Sequence, residues 1–112
     1  MADARRPMSA PPEVVFSTAT DANRATAWLP SALLDSPTAD AQHRSTEWRA
    51  HWRSERNPDW SAHLVVMASP AGGADVSLVL EAGDAGPEEL TGLADETLDS
   101  LAREVADNLQ AS

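Results

Sequence analysis

The stretch Thr46-Glu47-Trp48-Arg49-Ala50-His51-Trp52-Arg53 decides the fold. Trp48, Ala50 and Trp52 alternate with Glu47, Arg49, His51 and Arg53, and a period of two marks a strand with one buried and one wet face. Asn57-Pro58-Asp59 then turns the chain, and Trp60 to Ser69 reads as a second strand that is apolar on both faces for part of its length. Pro70-Ala71-Gly72-Gly73 turns it again before a third strand, Asp75 to Ala82. An antiparallel meander puts Trp52 near Ala62, Ala50 near Leu64 and Trp48 near Val66, and then Val66 near Leu78 and Leu64 near Leu80. One continuous face results, made of Trp48, Ala50, Trp52, Ala62, Leu64, Val66, Ala68, Val76, Leu78 and Leu80. A slip of one residue would turn every one of these outward, so their burial constrains the pairing. The opposite face carries Arg49, His51, Arg53, His63 and Ser77 and is expected to be wet.

Downstream, Asp84, Gly86 and Pro87 end the sheet, and Pro87 with Glu88-Glu89 behind it is a good start for a helix running to about Leu109. Leu90, Leu93, Ala94, Thr97, Leu98, Leu101, Val105 and Leu109 recur at steps of three and four, giving one apolar stripe on an acidic helix. That stripe must lie on the sheet, because nothing else in the chain could cover it. Upstream, residues 1–10 are polar and carry Pro7, which fits a frayed start or a short edge strand. Pro11-Pro12-Glu13 opens a helix through Val14, Val15, Phe16 and Ala19. Asp21 is read as the N-cap of a second, Ala22 to Trp28, which Pro30 ends. Residues 31–44 are the least legible: Asp35, Ser36, Pro37 and Asp40 signal turns around one short strand, Ala32 to Leu34.

The 112 residues are enough for one domain, 1–112, and for no second core. Of the 42% hydrophobic residues 21 are Ala, so large apolar side chains are few: four Trp, one Phe and no Tyr make up the aromatic set. The net charge is -10, with every basic residue an Arg, and it would repel a phosphate backbone; nucleic acid is a poor candidate partner. Asp75 to Asp107 holds ten acidic residues and one basic one, Arg103, so nearly all of the excess belongs to the last helix and its approach. Cysteine is absent, which excludes thiolate ligands and a cysteine nucleophile and fits a reducing cytoplasm. No apolar run approaches the roughly 20 residues of a membrane span, and Arg5-Arg6 lacks the apolar region of an export signal.

The order of elements is that of a helix-grip α+β domain, in which an antiparallel sheet wraps a long C-terminal helix and two short helices follow the first strand. Ala10-Pro11-Pro12-Glu13-Val14-Val15-Phe16, followed by Asp21 and Ala27-Trp28-Leu29-Pro30, resembles the opening of START-related (SRPBCC) proteins of the polyketide cyclase/dehydrase type. Trp52-Arg53-Ser54, Asn57-Pro58, Gly72-Gly73 and Val76-Ser77-Leu78 are similar to the hairpin motifs of that family, and Glu88 to Leu109 is similar to its closing helix. Family members are usually longer, so the resemblance implies a shortened sheet. These motifs are structural and specify no chemistry.

Trp48, Trp52, Leu64, Val66, Leu78, Thr97, Leu98 and Leu101 line the space between sheet and helix and are the candidate ligand-binding residues. Tryptophans there can stack on a flat apolar ligand, or simply fill a core to which each contributes about 1.5–3 kcal/mol or more. Trp28 and Trp60 are secondary candidates at the mouth of the grip and at a strand start. His43, His51 and His63 lack the i, i+4 spacing of a helical zinc site and have no short-spaced carboxylate, so they read as surface residues, the last two neighbouring across the hairpin. No metal and no cofactor is called for. The inner face offers no titratable group, and there is no G-x-S-x-G, so no catalytic residue is assigned. Glu55, Arg56 and Asp59 read as solvated turn residues, and Arg44, Arg49, Arg53 and Arg56 as charges that balance acids elsewhere.

The expectation is therefore a non-catalytic cytoplasmic domain, monomer or homodimer, that binds a small hydrophobic molecule, lipid-like or polycyclic. The family resemblance implies two alternatives: a protein-interaction domain of the chaperone-activator or toxin-antitoxin type, and a cyclase- or dehydratase-like enzyme.

Overall fold

The computed structural model describes residues 2–35, 39–44, 46–83 and 85–111, the last two without their side chains. The turn signals at Ser36, Pro37 and Asp84 fall outside these residues. In chain order the elements are β1 (Ala2–Met8), α1 (Pro12–Thr20), α2 (Ala25–Trp28), a 3-10 turn (Ser31–Leu33), β2 (Asp40–Arg44), β3 (Glu47–Arg53), β4 (Ser61–Ala68), β5 (Ala74–Glu81) and α3 (Pro87–Ala111). The strands form one antiparallel sheet in the order β1-β5-β4-β3-β2. The first strand thus pairs with the last, and α1 and α2 carry the chain from one edge of the sheet to the other. The architecture is a helix-grip α+β fold, with α3 packed against β1 and β5 and against both short helices. At about 1.5 Å per residue its 25 residues span nearly the whole 38 Å length of the molecule.

The β3–β4 register is the expected one: Trp52 opposes Ala62, Ala50 opposes Leu64 and Trp48 opposes Val66. The β4–β5 register differs by two residues, with Leu64 opposite Leu78 and Val66 opposite Val76. The reason lies in the hairpin. The β-turn closes through Gly72 N–H to Ser69 O (3.0 Å), centring it on Pro70-Ala71, and Gly73 follows as a positive-φ residue whose carbonyl accepts from Ser69 N–H (3.1 Å). A shift of two leaves each side chain on its own face, so the buried set survives. Two members behave differently: Ala68, beside the hairpin end, is exposed, and Trp48 is only half-buried. On the helix, Leu90, Ala94, Thr97, Leu98, Leu101 and Val105 are buried and Leu93 is partly so, whereas Leu109 is 42% exposed near the helix end.

Of the two readings of the chain start, the edge strand holds: residues 2–8 pair with β5 along their whole length at the sheet edge, and Ala2, Ala4 and Met8 enter the core. Two other expectations about the first half are corrected. Asp21 does not cap a helix at Ala22; its carboxylate accepts from Asn23 N–H (2.9 Å) and its carbonyl from Arg24 N–H (3.0 Å), making a turn that delays α2 to Ala25. The short strand at Ala32 to Leu34 is instead the 3-10 turn, driven by Leu33 N–H bonding Pro30 O (2.9 Å) as Leu33 is buried. The strand in this region is β2, all of whose residues are exposed.

α3 is also fixed laterally. Arg24 donates to Glu104 (2.8 Å) and Asn108 (3.1 Å), and Asn108 donates to the buried Thr18 hydroxyl (2.9 Å), which donates to Val14 O (2.8 Å). An Arg6–Asp99 ion pair ties α3 to β1.

Leu101→Asp is expected to unfold the chain, and Leu101→Ala to cost about 2–5 kcal/mol in urea denaturation; near-native stability of the Asp variant would mean that the stripe is not core. Gly72 and Gly73 both have positive φ, but only at Gly73 would a Cβ collide with a backbone carbonyl, that of Met8. Gly73→Ala is accordingly expected to lower the urea midpoint more than Gly72→Ala.

Candidate functional site

Seven of the eight candidate residues are buried in the interior, four on the inner face of the sheet and Thr97, Leu98 and Leu101 on α3, with α3 lying over β1 and β5 and α1 over β3 and β4. Trp52, Leu64, Val66, Leu78, Thr97, Leu98 and Leu101 are each 0–3% exposed. Trp48 lies on the same face nearer the β2 edge and stacks on His43, ring centres 4.5 Å apart and planes within 8° of parallel. Among the described residues, open surface hollows of about 250–420 Å³ are lined by other residues. The interior is closed to solvent at these positions.

The polar groups of the interior are few. Thr97 donates to Leu93 O (2.7 Å) and Thr18 to Val14 O, so both hydroxyls are bound by their own helices. The remaining buried polar residues are Ser54 and Ser61; among the described residues no acid, base or cation is fully buried. Trp28 is the residue that sequence reasoning undervalued. It is 3% exposed and meets Trp52 edge to face, with ring centres 5.3 Å apart and planes at 81°, the arrangement that aromatic quadrupoles favour. Its indole Nε1–H is buried without a hydrogen-bond partner. The available signal was Ala25-Thr26-Ala27-Trp28-Leu29, a short helix whose one large side chain sits just before Pro30.

A second polar centre lies where the β3–β4 turn meets the 3-10 turn. Asp35 Oδ2 accepts from Ser54 Oγ (3.0 Å) and from Arg56 N–H (2.9 Å), and Ser54 Oγ accepts from Asn57 N–H (3.0 Å). The Arg56 backbone bond, then the Ser54 hydroxyl and the Arg56 charge, hold the Asp35 carboxyl below its ordinary value against the opposing pull of desolvation. Its Oδ1 is buried and unpartnered. With Ser31, Ala32 and Asn57 these residues line a cleft of about 420 Å³. Arg56 bonds into this clamp on the hairpin through its backbone only; Glu55, Arg56 and Asp59 are all exposed, as solvated turn residues.

On the outer face His51 and His63 are paired directly across β3 and β4, with ring centres 5.0 Å apart. Burial, then His51 and Arg49, push the His63 imidazole below its ordinary value. Of the arginines expected to balance acids, Arg49 is held by both carboxylate oxygens of Glu47 (3.0 and 3.1 Å); Arg24, outside that set, is held by Glu104.

No protein-family model matches the chain, and no curated protein matches it. Several solved structures share its fold. Protein CV1439 from Chromobacterium violaceum aligns with a TM-score of 0.59 at 20% identity, over 92% of this chain and 94% of that one. CalU16 from Micromonospora echinospora aligns with a TM-score of 0.55 at 19% identity, over 97% of this chain and 83% of that one. DynU16, a protein in the dynemicin biosynthetic locus, aligns with a TM-score of 0.50 at 12% identity; the likeness covers 94% of this chain but 46% of that one. At these identities the relationship is one of fold, and it agrees with the architecture that the START-related resemblance implies.

Because its folded pKa is depressed, Asp35 contributes stability that is present above about pH 4 and is lost as pH falls through the folded value. The expectation is that its carboxyl titrates below 3.8 in carbon-detected NMR and that Asp35→Asn flattens the acid limb of the stability curve. A titration midpoint at or above 3.8 would show that the clamp does not form in solution.

Proposed function

We propose that the chain is a non-catalytic helix-grip domain that binds a small hydrophobic molecule, lipid-like or polycyclic, between the sheet and α3. The observation that carries this reading is the unpartnered Trp28 Nε1–H against a neighbouring interior that is otherwise apolar. A buried donor left unmade costs about 1–3 kcal/mol, and native structures rarely keep one without a reason. A ligand with an apolar body and one acceptor atom offsets that cost while stacking on Trp28 or Trp52, and it leaves Leu64, Val66, Leu78, Leu98 and Leu101 to enclose the rest. Trp48 and its His43 partner mark the more open flank of the same face.

The family resemblance and the fold likeness support this reading over a purely structural one. DynU16 belongs to a biosynthetic locus, and a role in small-molecule biosynthesis would give such a domain its ligand. Turnover finds less support, since Thr18 and Thr97 are bonded to their own helices and, among the described residues, no acid or base is fully buried. A protein-interaction role is favoured by one feature, the partly apolar groove between β1 and α3, where Pro7, Met8, Ala102 and Leu109 lie beside Arg6 and Ser9.

The test is a panel of fatty acids and polycyclic aromatics, followed by tryptophan fluorescence and thermal unfolding. Binders are expected to change the tryptophan signal and raise Tm, and Trp28→Phe is expected to weaken acceptor-bearing ligands by up to about tenfold, consistent with one net hydrogen bond. If saturating ligand moves neither signal and native mass spectrometry of the purified chain shows no adduct, the binding role is lost.

A further inference from the structure

We propose that His51 and His63 form a chelating two-imidazole site for a divalent transition-metal ion on the open face of the sheet. This face lies opposite the interior, so the site stands independently of ligand binding there.

The geometry comes from the strand pairing. His51 and His63 are directly opposed on β3 and β4, so both side chains leave the sheet on the same side. Their ring centres are 5.0 Å apart, with planes at 49°. With metal–nitrogen bonds of about 2.1 Å, two imidazoles sharing one ion at an angle of about 90–110° have ring centres about 4.5–5.2 Å apart. The observed separation falls in that window before any ion is present. The ladder of two central strands fixes where both side chains start, so only their own torsions remain to be set on binding.

The surroundings suit a small hydrated cation. A hollow of about 380 Å³ opens over the pair, lined by Asp40, Gln42, Arg49, Ala50 and the two histidines. Asp40 is the register partner of His51 on β2 and brings a negative charge to the rim. Arg49 is the opposing charge, but its guanidinium is bound by both oxygens of Glu47. Among the described residues no third His, Cys, Asp or Glu completes a metal-binding cluster, so the protein supplies two ligands and water or an outside donor the others. That donor set selects borderline ions that accept imidazole nitrogen, in the order Cu²⁺ above Ni²⁺ and Zn²⁺. Mg²⁺ and Ca²⁺, which take oxygen ligands, are excluded.

The test is calorimetric titration of the full, tag-free chain with Ni²⁺ and Zn²⁺, with Mg²⁺ as control, and EPR of the Cu²⁺ form. One ion per chain is expected, together with hyperfine coupling from two imidazole nitrogens in the copper spectrum. His51→Gln and His63→Gln should each weaken Ni²⁺ binding by at least about tenfold, because each converts a chelate into a single imidazole. His43→Gln, which removes the third imidazole from the other face, should leave affinity unchanged. Both ligand positions reach the surface, so these variants should fold, and circular dichroism checks that they do. Binding that is absent at millimolar Ni²⁺, that survives both substitutions, or that falls as far in His43→Gln would overturn the site.

Discussion

The structure depends on the burial of one helix stripe. In a chain whose apolar residues are so largely alanine, few side chains are big enough to exclude water over a wide area, and they sit on two surfaces that must meet. Leu90, Leu98, Leu101 and Val105 supply one surface; the inner face of the sheet, with Leu64, Val66, Leu78 and Leu80, supplies the other, α3 lying over β1 and β5 while α1 covers β3 and β4. At roughly 25 cal/mol per Å² of apolar area, neither surface is stable without its partner. The alanines have a different role. Ala2, Ala4, Ala50, Ala62, Ala74 and Ala94 are buried where backbones come close, and they let the helix sit near the strands.

This constraint explains which parts of the fold were legible in the sequence. Wherever an element buries one face, its period is written in the residues: β3 to β5 and α3 could be placed by alternation and by steps of three and four. Parity survives even a wrong register, which is why the β4–β5 pairing could be two residues off and still yield the right buried face. β2 was illegible for the converse reason. Asp40-Ala41-Gln42-His43-Arg44 is exposed throughout and is held to β3 by backbone pairing, which leaves no hydrophobic signature. Local polar chemistry was equally hard to read. The same Asp21 that favours an N-cap also favours an Asx turn, and the turn wins here.

The candidate site follows the same division. The five strand residues chosen for the inner face share it, because facing is a matter of parity, and Thr97, Leu98 and Leu101 sit on the buried stripe of α3. Trp28 was harder to place, since its contact with Trp52 joins a four-residue helix to a strand more than twenty positions later and has no periodic trace. Asp35 and Ser54 were invisible as a pair for the same reason. On the outer face the sequence could suggest that His51 and His63 are neighbours, but only the pairing fixes the distance between the rings.

The two faces of the sheet offer different kinds of chemistry because they differ in access. The outer face presents the imidazoles of His51 and His63 side by side and toward solvent. The inner face is closed in the present state, so occupancy there must be coupled to a displacement of covering elements, and the cost of that displacement subtracts from affinity. The polar chain from Arg24 through Glu104, Asn108 and Thr18 to Val14 sets part of that cost, since it ties α3 to both short helices. The orphaned Trp28 N–H works in the opposite direction. It raises the free energy of the closed, empty state relative to a state in which an acceptor reaches it, and so narrows the gap that a ligand must close.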